Sequence, residues 1–221
     1  MAPGPHYPDL LATTAMWMAM MTVMMLPVVL PWLLGFAALS RDREAGTIRS
    51  GWVALFALGY GTVWGGFSLL AATLQLGFQG WGLLGASMGS ATTSGGTVAT
   101  AGGLSAAAGG LILIAAGLYQ VAPAKAACLE HCRTPLSYFL TSWRNGPRGA
   151  FRMGLSHGTF CVGCCWALML TGFALGLMSL KWMAALTALI GIETLAPYGK
   201  RIGRLAGAAM VLWGLILLTG F

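Results

Sequence analysis

Six long apolar runs, separated by polar or glycine-rich breaks, leave this chain few folds to choose from. A helix needs about 20 mostly apolar residues to cross a hydrocarbon core roughly 30 Å thick. Runs of that kind lie near Leu10 to Leu39, Trp52 to Gly77, Leu104 to Ala122, Phe151 to Leu177, Trp182 to Ala196 and Arg204 to Gly220. With 57% hydrophobic and 8% charged residues, the chain reads as an all-α, polytopic transmembrane helix bundle forming one integral membrane domain over residues 1–221. The first run exceeds one crossing, so it tilts, projects past the bilayer or kinks where Pro27 and Pro31 remove backbone donors. The fifth is the shortest. The segment Met1 to Leu10 lacks the basic region of a secretory signal, so it is expected to stay in the mature protein.

Basic residues orient the runs, because loops left in the cytoplasm are enriched in Lys and Arg. Arg41, Arg43 and Arg49 fall in the first loop, Lys125, Arg133, Arg144, Arg148 and Arg152 in the third, and Lys200, Arg201 and Arg204 in the fifth. Only Lys181 lies on the opposite side, so both termini are expected to face outward. Anchoring and contact with acidic membrane lipid then account for the net charge of +7, and the dispersed cations form no nucleic-acid patch. Ser87 to Gly103 (SMGSATTSGGTVATAGG) reads as an outer loop without chemistry. The pairs Gly61 with Gly65, Gly172 with Gly176 and Gly203 with Gly207 are expected to let helices approach closely.

Function is carried by polar and sulfur groups placed where a span normally has Leu or Phe. At about 100° per residue, His157, Cys161, Cys164 and Cys165 fall near 0°, 40°, −20° and 80° around one helix, and Met153 falls near −40°. In the first run, Met20, Met24 and Met25 reach a similar depth from the other side. Thiolate and thioether sulfurs are soft donors and imidazole is intermediate, so this set favours Cu(I), with Zn(II) as second choice. Glu193 is the only carboxylate inside the runs, which argues against a hard-ion channel; it is expected to pair with Lys200 or Arg201. In the third loop, a short helix would bring Cys128 and Cys132 together, with Glu130 or His131 beside them, as a secondary metal site or thiol relay. The competing reading packs each Cys as a small apolar residue and each Met as a gap-filler. Ionisable groups inside a membrane usually mark a site, and His157 is joined by three Cys within two turns.

The stretches Cys128 to Pro135 (CLEHCRTP), Trp143 to Gly146 (WRNG), Met153 to Gly158 (MGLSHG), Cys161 to Trp166 (CVGCCW) and Leu168-Met169 also carry a resemblance. It continues through Met178, Trp182 to Ala184, Glu193, Pro197 and Gly199, and includes Trp17, Met20, Met24, Met25, Pro27 and Pro31. In these residues the chain resembles the bacterial predicted metal-binding integral membrane proteins, domain-of-unknown-function family 2182. The resemblance implies a metal-binding protein of the bacterial cytoplasmic (inner) membrane and supports the ligand reading.

Three functions compete on this basis. A Cu(I)-handling membrane protein would hold the ion between the first and fourth runs and exchange it with Cys128 and Cys132. A membrane thiol-disulfide oxidoreductase would use the two-residue spacing of Cys161 and Cys164. An accessory subunit would serve a larger copper-dependent membrane enzyme complex, and a homo-oligomer is compatible with the glycine-lined faces. No nucleotide-binding glycine loop, serine-nucleophile elbow or hydrolytic carboxylate pair is present, so a binding, transport or accessory role is favoured over catalysis.

Overall fold

The computed structural model describes residues 7–41, 49–80, 106–175 and 180–219. These form eight helices: α1 (Tyr7–Leu39), α2 (Ser50–Gly80), α3 (Ala106–Val121), α4 (Pro123–Arg133), α5 (Pro135–Ser142), α6 (Gly146–Leu175), α7 (Leu180–Leu195) and α8 (Gly199–Thr219). The Ser87 to Gly103 stretch, Gly176 and Met178 lie outside the described residues.

Over the described residues each apolar run is helical, and the third loop folds into two more helices. Proline explains where they break. Pro123 disfavours the helical conformation at Ala122, which is extended (φ −67°, ψ 141°), and α4 restarts behind it at 63° to α3. Pro135 acts in the same way on Thr134 and separates α4 from α5. Gly146, at φ +84°, takes the left-handed turn that starts α6. By contrast, α1 continues through both Pro27 and Pro31.

Among the described residues α1, α2, α6 and α8 are long and apolar enough to cross a membrane, and the bent pair α3 and α4 has the length and composition of a broken span or a re-entrant loop. At 16 residues, α7 falls short of the usual span, so against the six crossings expected from the sequence the described residues offer four helices, or five crossings with the broken pair. Leu58, Leu111, Leu205 and Leu212 remain exposed on the outer helix faces, where hydrocarbon would solvate them.

Helix α6 is central and packs against α2, α3, α4 and α7, while α1 lies along α2 and α7 and α8 lies along α3. Glycine sets the closest of these approaches. A Cβ on Gly154 would collide with the Phe56 carbonyl, and one on Gly59 with the Phe151 carbonyl, so α2 and α6 touch backbone to backbone. Gly110 and Gly117 meet Gly214 and Gly207 in the same way between α3 and α8. Of the pairs expected from the sequence, Gly203 and Gly207 face neighbouring helices closely. Gly61 and Gly65 do not: Gly61 meets nothing, and Gly65 meets only the Met18 methyl at 3.7 Å. Gly154→Ala is expected to destabilise the protein by about 1–3 kcal/mol through overpacking, measured as a lower thermal midpoint in detergent. Gly61→Ala should leave that midpoint unchanged.

Two clusters fill the interior. One, around Trp32, Phe36, Phe56, Phe139 and Met153, is largely aromatic. The other gathers Met21, Met24, Met25 and Met169 with Cys132, Cys161, Cys164 and Cys165.

Candidate metal centre

The four deepest thiols converge from two helices. Cys161, Cys164 and Cys165 lie on the inner face of α6, each at most 3% exposed. Cys132 enters from α4, with its Sγ 3.9 Å from that of Cys164 and in contact with the Cys161 thiol as well. Within α6 the Cys164 and Cys165 thiols point back to the Cys161 carbonyl at 3.1 and 3.0 Å. All five cysteines are free.

Burial of Cys132 follows from the register of α4. Lys125, Leu129 and Cys132 recur at helical spacing and form its buried face. Cys128, one position around the helix, is half-buried with its sulfur over the backbone of Gly163. The Gly163 carbonyl also accepts a 2.6 Å hydrogen bond from the Tyr119 hydroxyl of α3. A side chain at position 163 would displace Cys128, so α3, α4 and α6 meet here because that residue is glycine.

The imidazoles complete the donor set. His157 is fully buried, and neither of its ring nitrogens has a hydrogen-bond partner. Its ring stacks on Trp32 at 3.7 Å between centroids and 18° between planes, with Tyr60 at 5.4 Å. His131 stacks on Phe160 at 4.0 Å, and its Nε2 is likewise buried without a partner. The two imidazole centroids are 6.1 Å apart. Trp32 ties these parts together, since its indole N–H donates to the Cys132 carbonyl at 3.1 Å. The Tyr60 hydroxyl lies 3.5 Å from the Cys161 sulfur. Buried polar atoms normally find partners, so three imidazole nitrogens without one, beside a thiol group, have the donor chemistry that fits a soft cation.

The residues singled out by sequence do not all belong to this group. Met24 and Met25 are buried in the same cluster and Met20 is partly buried against it, whereas Met153 packs one turn below His157 among the aromatic rings. Glu193 lies apart from the sulfurs and pairs with a different partner than expected. Its carboxylate accepts from Lys125 Nζ at 2.6 Å and from Gln120 Nε2 at 2.9 Å, while Lys200 pairs with Glu130 at the surface. The sequence sets Lys125 among the loop cations, but Pro123 starts α4 early enough to turn it inward at 3% exposure. Tyr60 and Trp32 were missed altogether. Trp32 follows Met24 and Met25 at helical spacing, which was the available signal. Among the described residues, no three His, Cys, Asp or Glu side chains already surround a common point as a closed ligand set would.

An all-helical chain with buried sulfur and imidazole and no carboxylate among them has the donor chemistry of a soft-metal protein. A family model described as PpoB2, copper chaperone, matches residues 14–217, and the chain belongs to that family. The copper expectation is thereby supported at the level of the family. No curated protein matches, and no solved structure does.

Proposed function

We propose that this is an integral membrane copper-handling protein that carries Cu(I) on His157, Cys161, Cys164 and Cys132 and passes it to a recipient protein. The observation that carries the reading is the buried His157 imidazole, with neither ring nitrogen partnered, and the partnerless Nε2 of half-buried His131, beside four thiols in an otherwise apolar interior. Cu(I) supplies the missing partner, because two or three soft donors satisfy it and their thiolate charge offsets its own. Side-chain rotation at Cys132 and Cys164 closes the set around the ion. Cys165, Met24 and Met25 lie behind it, and Cys128 with His131 forms the side from which metal enters or leaves through α4. The family description as a copper chaperone supports delivery of the ion, and we extend it to an accessory role toward a copper enzyme. Orientation by the basic residues puts α4 at the cytoplasmic side of the inner membrane and both termini outside, surrounded by membrane lipid.

Metal analysis tests this directly. Protein purified in detergent under reducing conditions should retain about one Cu(I) per chain and prefer it over Zn(II). Chains that stay metal-free after loading with Cu(I), with all thiols reduced, would end the proposal.

One observation favours a second reading. Cys132 and Cys164 are close enough that small movements would join them, so a thiol-disulfide oxidoreductase would use this pair across two helices. Two thiols would be oxidised to a disulfide, with two electrons and two protons passing to a quinone or a partner disulfide. Thiol trapping in cells separates the two: reversible oxidation of Cys132 with Cys164 supports the enzyme, and persistently free thiols support the carrier.

A further inference from the structure

Beyond the thiols, α1, α6 and α7 form a small, partly open chamber whose lining includes Met20, Met21, Met24, Met169 and Met183. Five of the chain's 13 methionines therefore surround one void of about 20 Å³. Such a void has room for a single water-sized body. Water is poorly served there, because the lining offers almost no polar hydrogen-bonding group. The indole N–H of Trp17, also at the wall, already donates to Gln75 Oε1 at 2.7 Å. Met21, Met24 and Met169 are at most 3% exposed, so these three lining side chains are withdrawn from lipid.

We infer that this chamber is a second, all-thioether site for a soft monovalent d10 cation, Cu(I) in the working protein. The inference rests on the copper reading above and extends it to a distinct site. Thioether sulfur is neutral and cannot be protonated, so an ion held there keeps its full charge in a dry interior. Binding is therefore weaker than at thiolates, and the indole face of Trp17 supplies additional attraction for a cation. A weak site suits transit. Met169 lies one helical turn beyond Cys165 on α6, a rise of about 6 Å, so an ion leaving the thiols meets the thioethers next. With α1 entering from outside, the chamber lies on the outer side of the thiols, giving a path from α4 through Cys164 and Cys165 to the methionines.

The alternative is that methionine fills irregular gaps. The full chain, labelled with ¹³C at the methionine methyls and held in detergent, distinguishes the two when titrated with Ag(I), a redox-inert stand-in for Cu(I). Met21, Met24 and Met169 signals, assigned from single Met→Leu variants, should shift together while Met16, Met18 and Met210 stay in place. Wild type should retain about one equivalent more than Met21→Leu/Met24→Leu/Met169→Leu, whose side chains keep nearly the same volume and preserve the fold. A variant with Cys132, Cys161, Cys164 and Cys165 changed to Ser should still show the methionine shifts. Unmoved Met21, Met24 and Met169 signals at full Ag(I) loading, or equal stoichiometry in wild type and the Leu variant, would overturn the chamber and leave the thiol site standing. If the Ser variant binds as many equivalents as wild type, the thiol reading fails and the chamber remains.

Discussion

Glu193→Ala is expected to destabilise the protein by about 3–5 kcal/mol, because it strands the Lys125 ammonium in the interior with only the Gln120 side-chain oxygen beside it. The effect is read as a large fall in thermal midpoint and in folded yield. Three features make the network sensitive. Both ions are 3% exposed, Gln120 bridges them, and Gly203 of α8 packs against the carboxylate with no room for a side chain. Joint replacement of Lys125 by Met and Glu193 by Gln should recover most of the loss, since removing both charges avoids the desolvation that a lone charge suffers. Equal midpoints for Glu193→Ala and wild type would contradict the assignment. The network also bears on the proposed copper site. Arg133 donates to the Glu193 and Ala196 carbonyls at 2.5 and 2.8 Å, satisfying the end of α7 and fastening α4 to it. Cys132 is the residue just before Arg133, so loosening this joint moves a thiol away from Cys164. Glu193→Ala should therefore weaken copper retention without touching a ligand.

How far such relations could be read in advance depends on the length of the signal that encodes them. The apolar runs at α1, α2, α6 and α8 are long, and their helices follow with boundaries displaced by a few residues. Cys161, Cys164 and Cys165 share a face because they share a helix, so helical spacing alone foretold it. Lys125 departs from its sequence expectation for the opposite reason. In the sequence it is one cation in a basic loop, and only the restart of α4 at Pro123, with its 63° bend, turns it toward Glu193. The same bend carries Cys132 onto Cys164, so two thiol groups that looked separate in sequence become neighbours. The Trp32 to His157 stack and the five-methionine chamber are likewise tertiary: three helices meet there, and no local pattern states which faces will touch.

His157→Phe separates a ligand from a packing residue most cleanly. Phenylalanine can keep the flat stack against Trp32 and fits an aromatic environment that already includes Phe56 and Tyr60, so the fold should persist with little change in thermal midpoint. If His157 is only part of that stack, copper retention should persist too. The carrier reading demands otherwise, because it makes the imidazole nitrogens, which have no protein partner, donors to the ion. Loss of even an outer partner of a metal ligand commonly costs 10–100-fold in affinity, so loss of the ligand itself should weaken Cu(I) binding by at least about 100-fold. Cys164→Ser should act as strongly, because it removes the sulfur that faces Cys132 and places a harder oxygen donor in its stead. Competition titration with a chromophoric Cu(I) chelator measures both variants against wild type. A His157→Phe protein that holds copper as tightly as wild type would show that the stack with Trp32 is the whole role of this histidine.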